Sequence, residues 1–174
     1  MTWEKGEKLV QEILKKAPYA EGKVRRDRRL EFSIPADRIR DFLMTLKESG
    51  FELMLQITAV DWPKDGEIEL VYQMWSITHG THAMVKTRIP RDLDKARVPT
   101  VRDIYPAAET YERDVHDFFG VYFEGNDKME MPWILDDPER GLYPHRKDFD
   151  MLTYVKKKYK LLDRFDENKD NYLI

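Results

Sequence analysis

Residues 106–125 read PAAETYERDVHDFFGVYFEG and carry the clearest structural pattern of the chain. The apolar residues of this stretch recur every three or four positions, a period that predicts an amphipathic helix from Pro106 to Phe119. Proline has the fixed φ of a first helical residue, and Gly120 is the residue type at which helices commonly end in the left-handed conformation. The predicted apolar stripe consists of Tyr111, Val115, Phe118, Phe119 and Tyr122.

The other faces of this predicted helix are rich in charge. Glu109, Arg113 and Asp117 follow one another at four-residue steps, the spacing at which opposite charges pair on a helix surface. Glu112 and His116 form a second pair one turn apart. The spacing alone favours a solvated amphipathic helix whose charged faces contact water.

A long segment without regular periodicity follows the helix, and we call residues 124–149 the arm. Three prolines interrupt any helix there. Disordered segments are polar and poor in aromatic residues, whereas the arm is apolar, and loops of this length are usually functional. We therefore predict an ordered arm that packs on its own domain or on a partner through Met129, Met131, Trp133, Ile134, Leu135, Leu142, Tyr143 and Phe149.

The rest of the sequence predicts elements in the order α-β-α-β-β-β-α. Apolar residues at helical spacing predict helices before Pro18 and over residues 39–46, the second ending at Gly50. Alternation of apolar and polar residues predicts the strands. The predicted strands cover residues 24–34, 51–59, 67–77 and 83–89, and the second places Phe51, Leu53, Leu55, Ile57 and Ala59 on one face.

These elements predict an α+β fold. Successive strands joined by short turns form an antiparallel meander, so we expect a mainly antiparallel sheet of about four strands with helices packed on one face. We expect this domain to span residues 1–123. An extended partner-docking arm and a C-terminal tail are expected at 124–174, where apolar residues of the tail also suit docking.

Composition limits the possible functions. The formal net charge of −3 gives no general attraction to nucleic acid. The chain has no cysteine, which excludes disulfides and iron–sulfur clusters held by thiolates. A charged fraction of 36% together with the lack of cysteine is typical of heat-adapted proteins, so we expect a thermophilic source. We expect neither a signal peptide nor a membrane span, because no window approaches about 18 consecutive apolar residues.

Two alternative functions have some support in the sequence. Glu112 and His116 could bind a metal with a further histidine, His79, His82 or His145, as in a small metal-dependent enzyme. Basic runs at 23–29 and 156–160 could contact nucleic acid, but cations on an edge strand commonly prevent aggregation, and acidic residues follow the second run. No zinc-protease motif, phosphate loop or nucleophile elbow occurs, so we predict no catalytic, cofactor or metal site and no nucleic-acid binding.

Several motifs support a family resemblance. Residues 111–125, YERDVHDFFGVYFEG, and 143–149, YPHRKDF, occur in that order, preceded by AVDW at 59–62 and PTV at 99–101. This pattern resembles the thirty-kilodalton subunit family of respiratory complex I, which includes the corresponding subunit of membrane-bound, energy-converting nickel–iron hydrogenases. The sequence at 125–127 and 142–145 lacks the Gly-His-Pro that complex I members carry and is closer to the hydrogenase type or a related archaeal complex.

The resemblance implies a non-catalytic assembly subunit without a cofactor of its own. Such a subunit lies in the peripheral, cytoplasm-facing part of a membrane-bound, ion-translocating oxidoreductase, where it docks the large catalytic subunit and the small iron–sulfur subunit. In a partner-docking arm, few contacts of Trp133, Arg146 and Lys147 would be internal. The predicted partner interface consists of Glu112, Arg113, His116, Asp117, Trp133, Tyr143, Arg146, Lys147, Asp148 and Phe149.

Overall fold

Five strands form the central sheet of the computed structural model, which describes residues 2–136 and 139–159. They are β1 (Glu21–Arg26), β2 (Arg29–Ser33), β3 (Leu53–Trp62), β4 (Glu67–Ser76) and β5 (Thr81–Pro90). Their order across the sheet is β1-β2-β5-β4-β3. All neighbours are antiparallel except β2 and β5, which run parallel. The predicted α+β class and mainly antiparallel sheet are confirmed.

Helices cover the face of the sheet that carries the buried side chains. Helices α1 (Trp3–Lys16) and α2 (Ile39–Glu48) pack there, with the Phe42 ring 5.2 Å from the Phe32 ring between α2 and β2. Helix α3 (Ala108–Phe119) packs against β3, and α4 (Met151–Tyr159) follows the arm. Within the described ranges, no helix combines the length and apolar character needed to cross a membrane.

The predicted single strand at 24–34 is a hairpin instead. Strands β1 and β2 pair through a register in which Arg26 faces Arg29, so Asp27 and Arg28 alone form the turn. Arg28 has a φ of 59°, a conformation that favours glycine or asparagine. Asp27 is a common turn residue, but Arg28 stands where a glycine would have marked the turn, so the sequence signal is weak. The sheet therefore has five strands where about four were expected.

The predicted buried face of β3 is wrong at its first residues. The register shifts between Met54 and Gln56, which leaves Leu53 and Leu55 exposed and Met54 buried. Beyond this irregularity Ile57 and Ala59 are buried as predicted. An extra residue in one strand of a pair exchanges the faces of the strand residues just before it, and a strict alternation does not reveal it. Phe51, which precedes the strand, is buried as predicted.

Helix α3 is bracketed by two short strands that the sequence did not reveal. Strands β6 (Arg97–Pro99) and β7 (Tyr122–Glu124) pair in parallel before and after the helix. Three residues are too few to show a strand period. Tyr122 consequently belongs to β7 and not to the helix stripe.

The predicted end of α3 is confirmed. Gly120 has a φ of 74° and its N–H donates to the His116 carbonyl, which terminates the helix in the left-handed conformation. In the tail, α4 forms the described part. The basic residue Lys160 and the predicted docking residues Leu161, Leu162 and Phe165 lie outside the described residues.

Candidate functional site

Three charged residues of α3 are buried. Glu112, Arg113 and Asp117 are 0%, 6% and 4% exposed. The expectation that their faces contact water is wrong for these residues. The physical reason is that the loop after β6 and the arm cover these faces, and hydrogen bonds from both replace water.

Glu112 joins three segments. Its carboxylate accepts hydrogen bonds from the Thr100 hydroxyl at 2.6 Å, the Val101 N–H at 2.8 Å and the Asn126 side-chain amide at 2.9 Å. Burial raises the pKa of Glu112 above its ordinary value, and these three donors only partly offset that effect. The side chain therefore fastens the loop after β6 and the turn after β7 to the helix.

Arg113 and Asp117 hold the main chain of the arm. Arg113 Nη2 donates to the Pro132 carbonyl at 2.9 Å and to the Met131 carbonyl at 3.3 Å. Asp117 Oδ2 accepts from the N–H groups of Ile134 at 2.9 Å and Leu135 at 3.1 Å. An irregular segment has no ladder to satisfy its backbone polar groups, so the two helix side chains supply the partners.

Three apolar side chains of the same segment remain about half exposed to solvent. Met131, Trp133 and Ile134 are 54%, 45% and 51% exposed, although their backbone is fastened to the helix. The Trp133 indole N–H donates to Asp114, and the Arg113 guanidinium lies 4.5 Å from the centre of the ring. Residues 131–135 thus present an apolar surface whose main chain is held to α3, and we call them the exposed apolar segment.

A second fastening lies at the end of β3. Asp61 is 2% exposed and accepts from Arg91 Nε at 2.7 Å, Arg91 Nη2 at 3.1 Å and the Lys147 N–H at 2.8 Å. Arg91 Nη2 also donates to Asp148 at 2.6 Å. Burial alone would raise the pKa of Asp61, but the hydrogen bonds from Arg91 and the Lys147 N–H outweigh it and hold this pKa below its ordinary value.

The other residues of the 143–149 motif also contact their own domain. Arg146 Nε donates to the Phe119 carbonyl at 2.7 Å, and the Lys147 ammonium lies 5.6 Å from the centre of the Trp62 ring. The His145 ring stacks on Phe118 at 4.2 Å between ring centres. The expectation that Arg146 and Lys147 make few internal contacts is therefore wrong, as it is for Trp133.

Tyr143 and Phe149 complete the motif at its two ends. Tyr143 lies in the left-handed region with a φ of 48°, and its ring packs over Gly120. Phe149 contacts the ring of Tyr154 in α4 at 5.6 Å between centres. The arm is consequently fastened near both of its ends, at α3 and at β3.

The proposed metal pair receives no support from the geometry. Glu112 is bound by the three donors described above, whereas His116 Nδ1 lies 3.0 Å from the Val121 carbonyl and its ring contacts Tyr122 and Tyr143. Across residues 2–136 and 139–159, no group of three or more His, Cys, Asp or Glu side chains is arranged to hold a metal ion.

Two residues of these fastenings, Arg91 and Asn126, were not predicted from the sequence. Arg91 follows β5 and Asn126 follows β7, positions where no periodic pattern exists. The one available signal was Asp61, which continues the alternation of Ile57 and Ala59 and so falls on the buried face of a strand. A carboxylate at such a position requires a cationic or N–H partner, although the sequence does not say which.

Residues 32–155 match the model of the family described as respiratory-chain NADH dehydrogenase, 30 Kd subunit. The chain belongs to this family. The matched range runs from β2 to the middle of α4 and so contains both fastenings of the arm. The resemblance that the motifs indicated is confirmed.

Relatives of this 30-kDa subunit family member include C subunits of bacterial and archaeal oxidoreductases. That of the NADH-quinone oxidoreductase of Phenylobacterium zucineum is 35% identical over 132 residues, which are 75% of this chain and 61% of that protein. Its counterpart in Erythrobacter litoralis is 35% identical, over 73% of this chain and 50% of its own length. That of the F(420)H(2) dehydrogenase of Methanosarcina mazei is 30% identical, over 70% and 76%. The chain thus spans 61% and 50% of the length of the two bacterial relatives.

Two solved structures share the fold. A chain in the structure of the membrane-bound sulfane sulfur reductase, an archaeal respiratory membrane complex, is 82% identical, with a TM-score of 0.90 over 97% of this chain and 99% of that one. The trypsin-resistant fragment of Nqo5 is 25% identical, with a TM-score of 0.59 over 69% and 96%. The first likeness agrees with the expected relation to an archaeal complex.

Proposed function

We propose that this protein is a non-catalytic assembly subunit of a membrane-bound, ion-translocating respiratory oxidoreductase of the complex I and membrane-bound hydrogenase type. It lies in the peripheral part of the complex on the cytoplasmic side of the membrane. There it docks the large catalytic subunit, related to that of nickel–iron hydrogenases, and the small iron–sulfur subunit. It holds no cofactor of its own in this role.

The observation that carries the proposal is the exposed apolar segment. Arg113 and Asp117 hold its main chain through hydrogen bonds, while Met131, Trp133 and Ile134 stay about half exposed. Aromatic and apolar side chains at the centre of an interface supply most of its binding energy. Since the segment is fixed before binding, docking requires little ordering of the chain, which favours a tight complex.

The predicted interface residues divide into two roles in this proposal. Trp133 contacts the neighbouring subunit directly. The exposed and partly exposed residues of the 143–149 motif do so as well, together with His116 of α3. The buried residues Glu112, Arg113 and Asp117 are positioning residues that hold the arm. The direct contacts are His116, Trp133, Tyr143, Arg146, Lys147, Asp148 and Phe149.

The relatives support the choice of parent complex. The matched curated proteins are C subunits of quinone-reducing or F(420)H(2)-oxidising dehydrogenases, and the structure at 82% identity is a respiratory membrane complex. A chain this similar to a subunit of such a complex, with a preformed apolar surface, suits the same kind of assembly.

Co-purification of the tagged chain from its own cells tests the proposal. With the wild-type subunit, mass spectrometry should identify a large catalytic and a small iron–sulfur subunit in equal amounts. Ile134→Ser should weaken their retention about 30-fold, because an interface anchor contributes about 2 kcal/mol. Ile77→Ser is the matched control, since Ile77 is 66% exposed in the turn after β4. Equal retention of both variants, or equal loss, would contradict the proposed docking surface.

A further inference from the structure

The tip of the β1–β2 hairpin carries a cluster of unpaired cations. Residues 25–29 read Arg-Arg-Asp-Arg-Arg, and all five are exposed. Arg25 pairs with Glu31 at 2.9 Å. In the part of the chain that the structure describes, no acidic side chain lies within 4.0 Å of the guanidinium groups of Arg26, Arg28 or Arg29. The positive charge of the tip is therefore left to solvent or to a partner.

Two features of this tip work against folding. Arg28 occupies the left-handed region at a φ of 59°, where glycine or asparagine is favoured. Arg26 lies directly opposite Arg29 in the strand register, and like charges in such a cross-strand pair repel each other. Within the described chain, no ion pair of Arg26, Arg28 or Arg29 compensates for this unfavourable arrangement. Such strain commonly marks a functional site, here a contact with another molecule.

The chemistry of the cations indicates the partner. All four basic residues of the tip are arginines, whereas the other basic run, 156–158, consists of lysines. Arginine binds a carboxylate or a phosphate through two parallel N–H···O bonds, whereas lysine acts as a point charge. Surfaces that bind membranes add apolar side chains to their cations. Among the described residues, β1, β2 and their turn carry no large exposed hydrophobic side chain.

We propose that the hairpin tip formed by Arg26, Arg28 and Arg29 is a second docking surface that binds a carboxylate-bearing surface of a neighbouring subunit. The proposal rests on the proposed function, because the partner is a protein of the same complex. It concerns a different element from the exposed apolar segment, since the tip joins β1 and β2 whereas that segment lies on α3.

The variant Arg28→Gly separates a binding role from a structural one. Glycine removes the guanidinium and relieves the left-handed backbone at once. We expect the melting temperature of the free subunit to stay unchanged or to rise by up to about 3 °C. We also expect the affinity of the subunit for the subunit-depleted complex to fall about tenfold, the loss of one charge-assisted contact. Higher stability with weaker binding is a combination that a structural role does not produce.

Matched variants complete the experiment. Arg26→Gln should weaken binding in the same way, and both variants should release from the complex at lower salt than the wild type. Lys64→Gln, which removes an exposed cation in the turn between β3 and β4, should leave affinity and salt dependence unchanged.

Three results would overturn the proposal. The first is wild-type affinity and salt dependence for Arg28→Gly and Arg26→Gln. The second is a melting temperature of Arg28→Gly several degrees below the wild type with the complex intact, which would make the tip structural. The third is that Arg28→Gly and Arg26→Gln bind vesicles of anionic phospholipid, or DNA, more weakly than the wild type does, while their binding to the complex is unchanged. If Ile134→Ser failed to weaken assembly, the proposed docking of the arm would be contradicted. The measurements on the Arg28→Gly and Arg26→Gln variants would still test the hairpin independently.

Discussion

Replacing Asp61 by asparagine tests whether the arm is fastened to the domain at β3. Asparagine keeps the shape of the side chain but offers one acceptor oxygen to three donors, and its NH₂ group faces at least one of them. Breaking a buried ion pair by removing one partner typically costs about 3–5 kcal/mol. Arg91 is 19% exposed and retains Asp148, so the lower end of about 3 kcal/mol applies here.

Thermal unfolding measures this effect. For a chain of this length, a loss of about 3 kcal/mol lowers the melting temperature by about 6–12 °C. The pKa of Asp61 is held below its ordinary value, so its contribution to stability is present above the unfolded pKa of about 3.9 and is lost as pH falls through the folded pKa. The difference in the free energy of unfolding between Asp61→Asn and the wild type should therefore be largest at pH 7 and shrink below about pH 4.

The control is Asp65→Asn, which breaks an exposed ion pair between Asp65 and Arg88. Such pairs contribute about 0–1 kcal/mol. Hydrogen exchange of the Lys147 amide supplies a local measurement, because this N–H donates to Asp61. If Asp61→Asn and Asp65→Asn had equal effects, and the Lys147 amide exchanged at the wild-type rate, the fastening of the arm at β3 would be refuted.

Two further predictions concern α3. Gly120→Ala should destabilise the chain by about 3 kcal/mol in urea unfolding. The added Cβ would lie 2.6 Å from Leu93 and 2.9 Å from Tyr143, at a φ of 74°. The control Gly80→Ala has a φ of 59° but no atom within 4 Å of the added Cβ, and it should cost about half as much. Glu112 has a raised pKa, so its proton is bound more tightly in the folded state than in the unfolded state. The free energy of unfolding of the wild type, relative to that of Glu112→Gln, should therefore rise as pH falls from 7 toward about 5. A relative free energy that fell over this range would contradict the prediction.

Local patterns predicted the helices and strands that are long enough to show a period. The helical spacing of α3 and the glycine at position 120 identified both the helix and its end. The hairpin of β1 and β2 was missed because Arg28 occupies the left-handed turn position where glycine or asparagine is usual. The irregularity at Met54 exchanged the faces of Leu53 and Leu55, which alternation alone does not show.

The candidate site was recognised by its residue types but its geometry was not. A charged helix face looks the same in sequence whether water or a non-periodic segment covers it, so the burial of Arg113 and Asp117 was not predictable from spacing. The contact of Asp61 with Lys147 joins residues 86 positions apart. Such a pairing depends on how the whole chain folds, because no local preference couples the two positions.

Side-chain footprinting with hydroxyl radicals, in the free subunit and in the purified complex, tests whether the exposed apolar segment docks a partner. We predict that Met131, Trp133 and Ile134 react readily in the free subunit and lose most of their reactivity in the complex. Met44 and Ile77, which are 42% and 66% exposed elsewhere on the surface, serve as internal references. Equal reactivity of Met131, Trp133 and Ile134 in the free and the assembled subunit would contradict the claim that this segment docks a partner.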